Sequence, residues 1–379
     1  MIPDDTYGVL LVSFSRHSHQ HSFVPLYLAH PRIRIVAVAE EPDADPALRT
    51  LNARWAKRLG VPYLENVDQA LERRDVHIVS LAHEIERRAG LAVRAAQAGK
   101  HLWIDKFMGR DLAECDVVIA AVDQAGVQAI IPSYDYGDLL ERGARAAADP
   151  RLGQLLGLHA DIFFGKGWPR PPAVTGAVAD AGEWKYPDLK RELLTVGSYA
   201  VALIQRCLGP IRLVLGCGGA HFFPAHAARS VEDFATLTLV DDAGRIATLG
   251  AGRVGVAAHP AGGPSRAWLV GTRSTAVTDA RRPAVDHFLR DELAGADFHP
   301  SPDDPMQWAS GPPAQATPLG RDGPGLTRAL EDLVAAIDGV RPPAFGPRHA
   351  RAHLEILLAG YRALATGLPV PVPLEEAGP

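Results

Sequence analysis

Residues 11–21 read LVSFSRHSHQH. The apolar run VLLVSF at 9–14 leads into them, and a segment of helical period follows at 22–30. In a dinucleotide-binding domain this strand-to-helix junction carries glycines, so that the backbone turns tightly and approaches a pyrophosphate. Here Ser13, Ser15 and Ser18 stand at the glycine spacing, and His17, His19 and His21 occupy alternate positions. Three interpretations are open on these residues alone: an altered cofactor loop, a phosphate grip of another kind, or a metal site.

The surroundings of the stretch decide the fold class. Four more β-rich runs follow, IRIVAVAE (33–40), VHIVSLA (76–82), HLWID (101–105) and VQAIIPS (127–133). Stretches of helical period fall between and after them at 46–59, 67–73, 86–98, 110–125 and 137–147. Strand–helix alternation with continuously apolar strands predicts a parallel sheet covered on both faces, an α/β doubly wound domain. Crossovers of this length are right-handed, and ligands collect at the carboxyl ends of the strands.

After Asp149-Pro150 the pattern changes. Strand candidates follow one another at 154–164, 211–217, 234–241, 245–254, 266–271 and 274–278, interrupted by one helical segment at 192–209. This predicts a second domain built on a largely antiparallel sheet. Helices are expected at 325–339 and 347–366, and loops at 165–190 and 293–324.

The chain has 379 residues, which favours two domains over one core. Its net charge of −5 argues against a nucleic-acid partner. No apolar run reaches the roughly 18 residues of a membrane span. The first residues, MIPDDTYGVLL, lack a basic leader, so a cytoplasmic location is expected. Cys115, Cys207 and Cys217 are few and far apart, and are expected as reduced, buried thiols.

The segment AAQAGKHLWIDKF (95–107) resembles the "AGKHV…EKP" segment of the Gfo/Idh/MocA oxidoreductase family, the glucose–fructose oxidoreductase and inositol dehydrogenase group. LVGTRSTAV (269–277) and RPPAFGPRHARAHLEILLAGYRALATGLPVPVPL (341–374) resemble that family's late strand pair and its last helix with the tail. The likeness runs almost end to end. It implies a Rossmann domain over 1–133, then a substrate and oligomerisation domain over 134–379 with an open, mostly antiparallel sheet. The last helix, 347–366, is expected to pack back toward the first domain. The resemblance further implies NAD or NADP as cofactor and a sugar, polyol or related small molecule as substrate. It also implies a homo-oligomer, dimer or tetramer, formed through the second sheet.

The resemblance places several residues. Ser13, Ser15 and Ser18 align with the family's G-x-G-x-x-G; their hydroxyls, with Arg16, would take over part of the phosphate binding. Glu40 ends the second strand, where an acid accepts hydrogen bonds from the ribose and favours NAD. Asp105-Lys106 matches Glu-Lys of the EKP segment, so Lys106 would sit beside nicotinamide and substrate, with Phe107 in place of the proline. Tyr199 stands where many members carry a catalytic histidine, in Thr195-Val-Gly197-Ser-Tyr199-Ala-Val-Ala202, and would serve as acid or base. Tyr134, Asp135 and Tyr136 would face substrate. Trp168 and Trp184 would line its pocket, and Lys185 and Lys190 are further candidates.

A second function class stays open. Ala82-His83-Glu84 replaces the family's Thr-Pro-Asn, on a loop next to the one after strand one. His17, His19, His21, His83 and Glu84 would then be suitable ligands for a divalent ion such as Zn²⁺, Mn²⁺ or Fe²⁺. That would make a metal-dependent lyase, hydrolase or oxidase on the same scaffold.

Overall fold

A computed structural model describes residues 6–15, 18–132, 138–163, 190–252, 265–279, 284–289, 315–318 and 325–375. The chain divides into two compact units, Met1–Tyr136 with Gly323–Leu354, and Gly137–Asp322 with Glu355–Pro379.

In the first unit the strands are β1 (Tyr7–Val12), β2 (Ile33–Ala39), β3 (Tyr63–Leu64), β4 (Ile78–Leu81), β5 (His101–Ile104) and β6 (Ala129–Ile130). They pair in parallel in the order β3-β2-β1-β4-β5-β6. This is the order of a dinucleotide-binding domain, and the chain reverses direction across the sheet between β1 and β4. The crossover helices are α1 (Gln20–Ala29), α2 (Pro46–Leu59), α3 (Val67–Leu71), α4 (Ile85–Gln97) and α5 (Leu112–Ala125). Local chemistry sets the bounds of α2: the Asp45 carboxylate accepts from the Ala47 amide, Pro46 opens the first turn, and Gly60 ends the helix at φ 68°. Sequence pattern missed β3, which is two residues long and carries no period.

Val9, Leu10, Leu11 and Val12 are completely buried, as a central strand covered on both faces requires. Phe23 and Tyr27 of α1 meet Trp103 of β5 edge to face at 5.4 and 5.7 Å. Gly8 is where β1 passes the backbone of Asp75: a Cβ there would stand 1.8 Å from the Asp75 carbonyl oxygen. Gly8→Ala should therefore destabilise the fold by about 1–3 kcal/mol, read as a lower denaturation midpoint.

In the second unit the strands are β7 (Leu155–Phe163), β8 (Ile211–Gly219), β9 (Phe234–Asp241), β10 (Ile246–Gly252), β11 (Ser265–Gly271), β12 (Ser274–Asp279), β13 (Ala284–Leu289), β14 (Gln315–Pro318) and β15 (Val370–Pro371). Their order is β14-β13-β12-β11-β7-β10-β9-β8-β15. The pairings are antiparallel except that of β7 with β10. The helices α6 (Asp138–Ala148) and α7 (Ser198–Leu208) lie on one face of this sheet. The expected loop 293–324 contains β14; this outermost strand of the described sheet tolerates Pro318, whose missing N–H no further strand requires. Cys115 is buried, and burial pushes its thiol up to about 12. The expectation of buried thiols fails at Cys217, which alternation along β8 turns outward.

The entry to α7 is held from afar. One turn of π-helix, Leu193–Gly197, precedes it, and Glu192 ahead of that turn makes no side-chain cap. Instead the Leu193 amide donates to Glu232 Oε1 at 2.9 Å, and the Leu194 amide to Tyr361 Oη at 3.1 Å. Tyr361 in turn donates to Glu232 Oε1 at 2.5 Å, and Arg191 stacks over the tyrosine ring at 4.7 Å. Burial pushes the Glu232 carboxyl up to about 7, against the opposing pull of the Tyr361 hydroxyl, the Leu193 amide and Arg191.

Candidate cofactor crevice of the first unit

The residues that follow β1, β2, β4 and β5 meet at the carboxyl end of the sheet. Ser13, at the end of β1, has φ 67°, a left-handed conformation that glycine adopts without strain. A dinucleotide-binding loop makes a tight turn here with its first glycine; in this chain serine stands at that turn. Phe14 is buried, stacks on Trp55 of α2 at 4.6 Å with the rings 5° apart, and donates its amide to Asn52 Oδ1 at 2.8 Å. Ser15 donates its hydroxyl to the Glu84 carboxylate, which joins the loop after β1 to the loop after β4. Ser18 donates its hydroxyl to the Ser15 carbonyl at 3.0 Å.

Glu40 is completely buried. Its oxygens accept from the Glu41 amide at 2.8 Å and from Asn52 Nδ2 at 2.7 Å, and His83 Nε2 lies 2.9 Å away. Burial alone would raise its pKa. The His83 ring, the Glu41 amide and Ser13 outweigh that and hold the carboxyl below its usual range.

Asp105 is also completely buried, and its oxygens gather three donors. Oδ1 takes the His19 ring Nδ1 at 2.9 Å and the Lys106 amide at 2.8 Å; Oδ2 takes the His19 amide at 3.0 Å. Burial again opposes ionisation. The His19 ring and the charge of Arg88 prevail and hold the carboxyl below its usual range. Lys106 follows in the chain and is buried; its peptide bond to Phe107 is cis.

Arg88 of α4 holds two of these loops together. Its guanidinium is buried and donates to the carbonyls of His83 (2.8 and 3.2 Å), Asp105 (3.1 Å) and Phe107. Nothing in the sequence singles it out, because EIERR at 84–88 has the composition of an exposed first turn. Arg87 beside it is such a residue, paired with Asp43 at the surface. Asn52, which bridges Glu40 and Phe14, was missed for the same reason: its α2 neighbours are mostly surface-facing.

The described residues give the metal expectation no support. Among the described residues no group of three or more His, Cys, Asp or Glu side chains could hold a metal ion. His83 accepts the Glu84 amide on Nδ1 at 2.7 Å and turns Nε2 to Glu40, so neither ring nitrogen is left for a metal. His19 has given Nδ1 to Asp105, Glu84 is engaged by Ser15, and His21 is exposed on α1. His83 and Glu84 are thus taken by partners that sequence could not match to them, while His19 keeps Nε2. His17 and Arg16 lie outside the described residues, as do Tyr134, Asp135, Tyr136, Trp168, Trp184 and Lys185.

In the second unit Tyr199 sits in the first turn of α7, half-buried between buried neighbours, as is Thr195 in the π-turn before it. These two residues mark the side of the helix entry that the core leaves uncovered. No helix among the described residues is long and apolar enough to cross a membrane.

Residues 15–133 match the family model described as "Oxidoreductase family, NAD-binding Rossmann fold". No curated protein matches the chain. Solved structures of similar fold include the WlbA dehydrogenase from Bordetella pertussis in complex with NADH and UDP-GlcNAcA: 18% identity, 98% of this chain and 100% of that one covered, TM-score 0.70. The aldose-aldose oxidoreductase from Caulobacter crescentus, complexed with glycerol, has 18% identity, coverage of 97% and 100%, and a TM-score of 0.71. An oxidoreductase domain protein from Kribbella flavida has 17% identity, coverage of 97% and 99%, and a TM-score of 0.72. At these identities the structures establish a shared fold.

Proposed function

We propose, from the premise that residues 15–133 belong to the Gfo/Idh/MocA oxidoreductase family, that the chain is an NAD(P)-dependent oxidoreductase acting on a sugar, polyol or related small carbonyl or hydroxyl compound. The observation that carries this is the backbone of the first loop. Ser13 keeps the left-handed turn of a dinucleotide loop where the glycine letter has gone, at the point where the strand order reverses. The residues fit the dinucleotide with altered contacts. Ser13, Ser15 and Arg16 would meet its phosphates and Lys106 its nicotinamide end. The charge of Glu40, held ionised by His83, opposes a 2′-phosphate and favours NAD over NADP. The ribose would have to share that carboxylate with Asn52 and His83.

Bound nicotinamide supplies the hydride acceptor or donor. The chain's own groups would supply the rest: in the first unit Lys106 would orient the substrate oxygen, with Asp105 fixing the backbone before it, and Tyr199 of the second unit is carried separately as a candidate acid or base. The second unit carries exposed apolar side chains on one side of its sheet, Trp268 and Val270 of β11, Ile246 of β10 and Leu215 of β8, among polar neighbours such as His159 and Thr248. Such a patch suits the face through which a homo-oligomer would form.

The test measures nucleotide binding and bound metal on one purified sample, then turnover on a panel of sugars and polyols. NADH should bind one per chain, without stoichiometric metal. Tyr199→Phe should keep that binding and lose turnover by about 10²–10⁴-fold, and Lys106→Met should lose turnover by at least as much. A protein that binds neither NADH nor NADPH would sink the proposal.

A further inference from the structure

The Ser15 hydroxyl is engaged by Glu84, and the His19 amide, at the start of α1, is already taken by Asp105. A dinucleotide in this crevice therefore meets fewer open amides than a glycine loop offers. The His19 ring is placed to make up the difference. Asp105, completely buried, fixes the ring through Nδ1, while the imidazole side chain itself remains 46% exposed. Nε2, on the far side of the ring, has no hydrogen-bond partner among the described residues. His19 is also the residue immediately before α1, the helix whose start faces the phosphates in a domain of this strand order.

We infer that His19 is a cofactor-binding residue that grips a pyrophosphate oxygen through Nε2, with Asp105 steadying the ring from the opposite nitrogen; this rests on the NAD(P) reading above. A ring between the carboxylate and the phosphate offers a nitrogen to each, so His19 would bridge the two through hydrogen bonds to ionised acceptors. An imidazole clamp would thus replace the glycine loop in the role the serines fill only in part.

The experiment is calorimetric titration of the full chain with NADH and with ADP-ribose, which carries the pyrophosphate without the nicotinamide. His19→Asn keeps an N–H where Nδ1 donates to Asp105 and removes Nε2; His19→Ala is the second variant, in case the first fails to fold. Both ligands should bind the variants about ten- to a hundredfold more weakly, the scale of one charge-assisted hydrogen bond. The fall of affinity with salt should be shallower in the variants than in the parent. Unchanged affinity in a folded variant, or equal salt slopes, overturns the inference and leaves the NAD(P) reading standing. A parent protein that binds neither ligand overturns both.

Discussion

Arg88→Met lowers the folding stability of the first unit by about 3 kcal/mol or more, because it strips buried carbonyls of their donor at roughly 1–3 kcal/mol each. The three carbonyls belong to His83, Asp105 and Phe107, so the loss falls on the loops after β4 and β5 together. Arg88→Lys should recover only part of it, since one ammonium cannot reproduce a fork that reaches three acceptors. The measurement is the denaturation midpoint of the three proteins, paired with their affinity for NADH. A methionine variant as stable as the parent would show that the carbonyls find water instead, and that Arg88 is not the staple its bonds suggest.

The second large effect depends on pH. The Glu232 carboxyl titrates at about 7 in the folded chain against about 4.5 for an ordinary glutamate. Below the lower value both states hold the proton and burial costs nothing extra. Between the two the unfolded chain has released its proton while the folded chain keeps it, so stability falls as pH rises. The displacement corresponds to a loss of about 3 kcal/mol, complete above the folded value. Glu232→Gln does not titrate, yet its amide oxygen still accepts from Leu193 and Tyr361. Relative to the parent, the variant should therefore gain about 3 kcal/mol between pH 4 and pH 8. Denaturant unfolding of both proteins at the two pH values checks this. An equal difference at both would mean that the carboxyl titrates normally.

Most of the framework was legible because it is local. The period of 46–59, opened by Asp45-Pro46 and closed by Gly60, contains everything that makes α2. The apolar runs that became β1, β2, β4 and β5 need only to be buried on both faces, and composition records that. The chemistry was less legible because its partners are far apart in the chain. His19 meets Asp105 across 86 positions, Ser15 meets Glu84 across 69, and Tyr361 meets Glu232 across 129. The metal expectation, which finds no support among the described residues, turned on such partners. The spacing of His17, His19 and His21 is visible in the letters, but the carboxylates that claim His19 and His83 are chosen by the sheet. β14 and β15 escaped for the opposite reason: with four and two residues, they are strands only because a neighbour pairs with them.

Ser13 bears on how such proteins are recognised and how they change over time. Its left-handed backbone is a property of an angle, and the letter at the position is only one way to meet it. Asparagine, aspartate and glycine tolerate that angle, whereas valine, isoleucine and threonine do not. The position should drift freely among the first group and resist the second, so the turn can outlive its glycine signature. Descent within this fold is then better traced by backbone conformation at the end of β1 than by counting glycines.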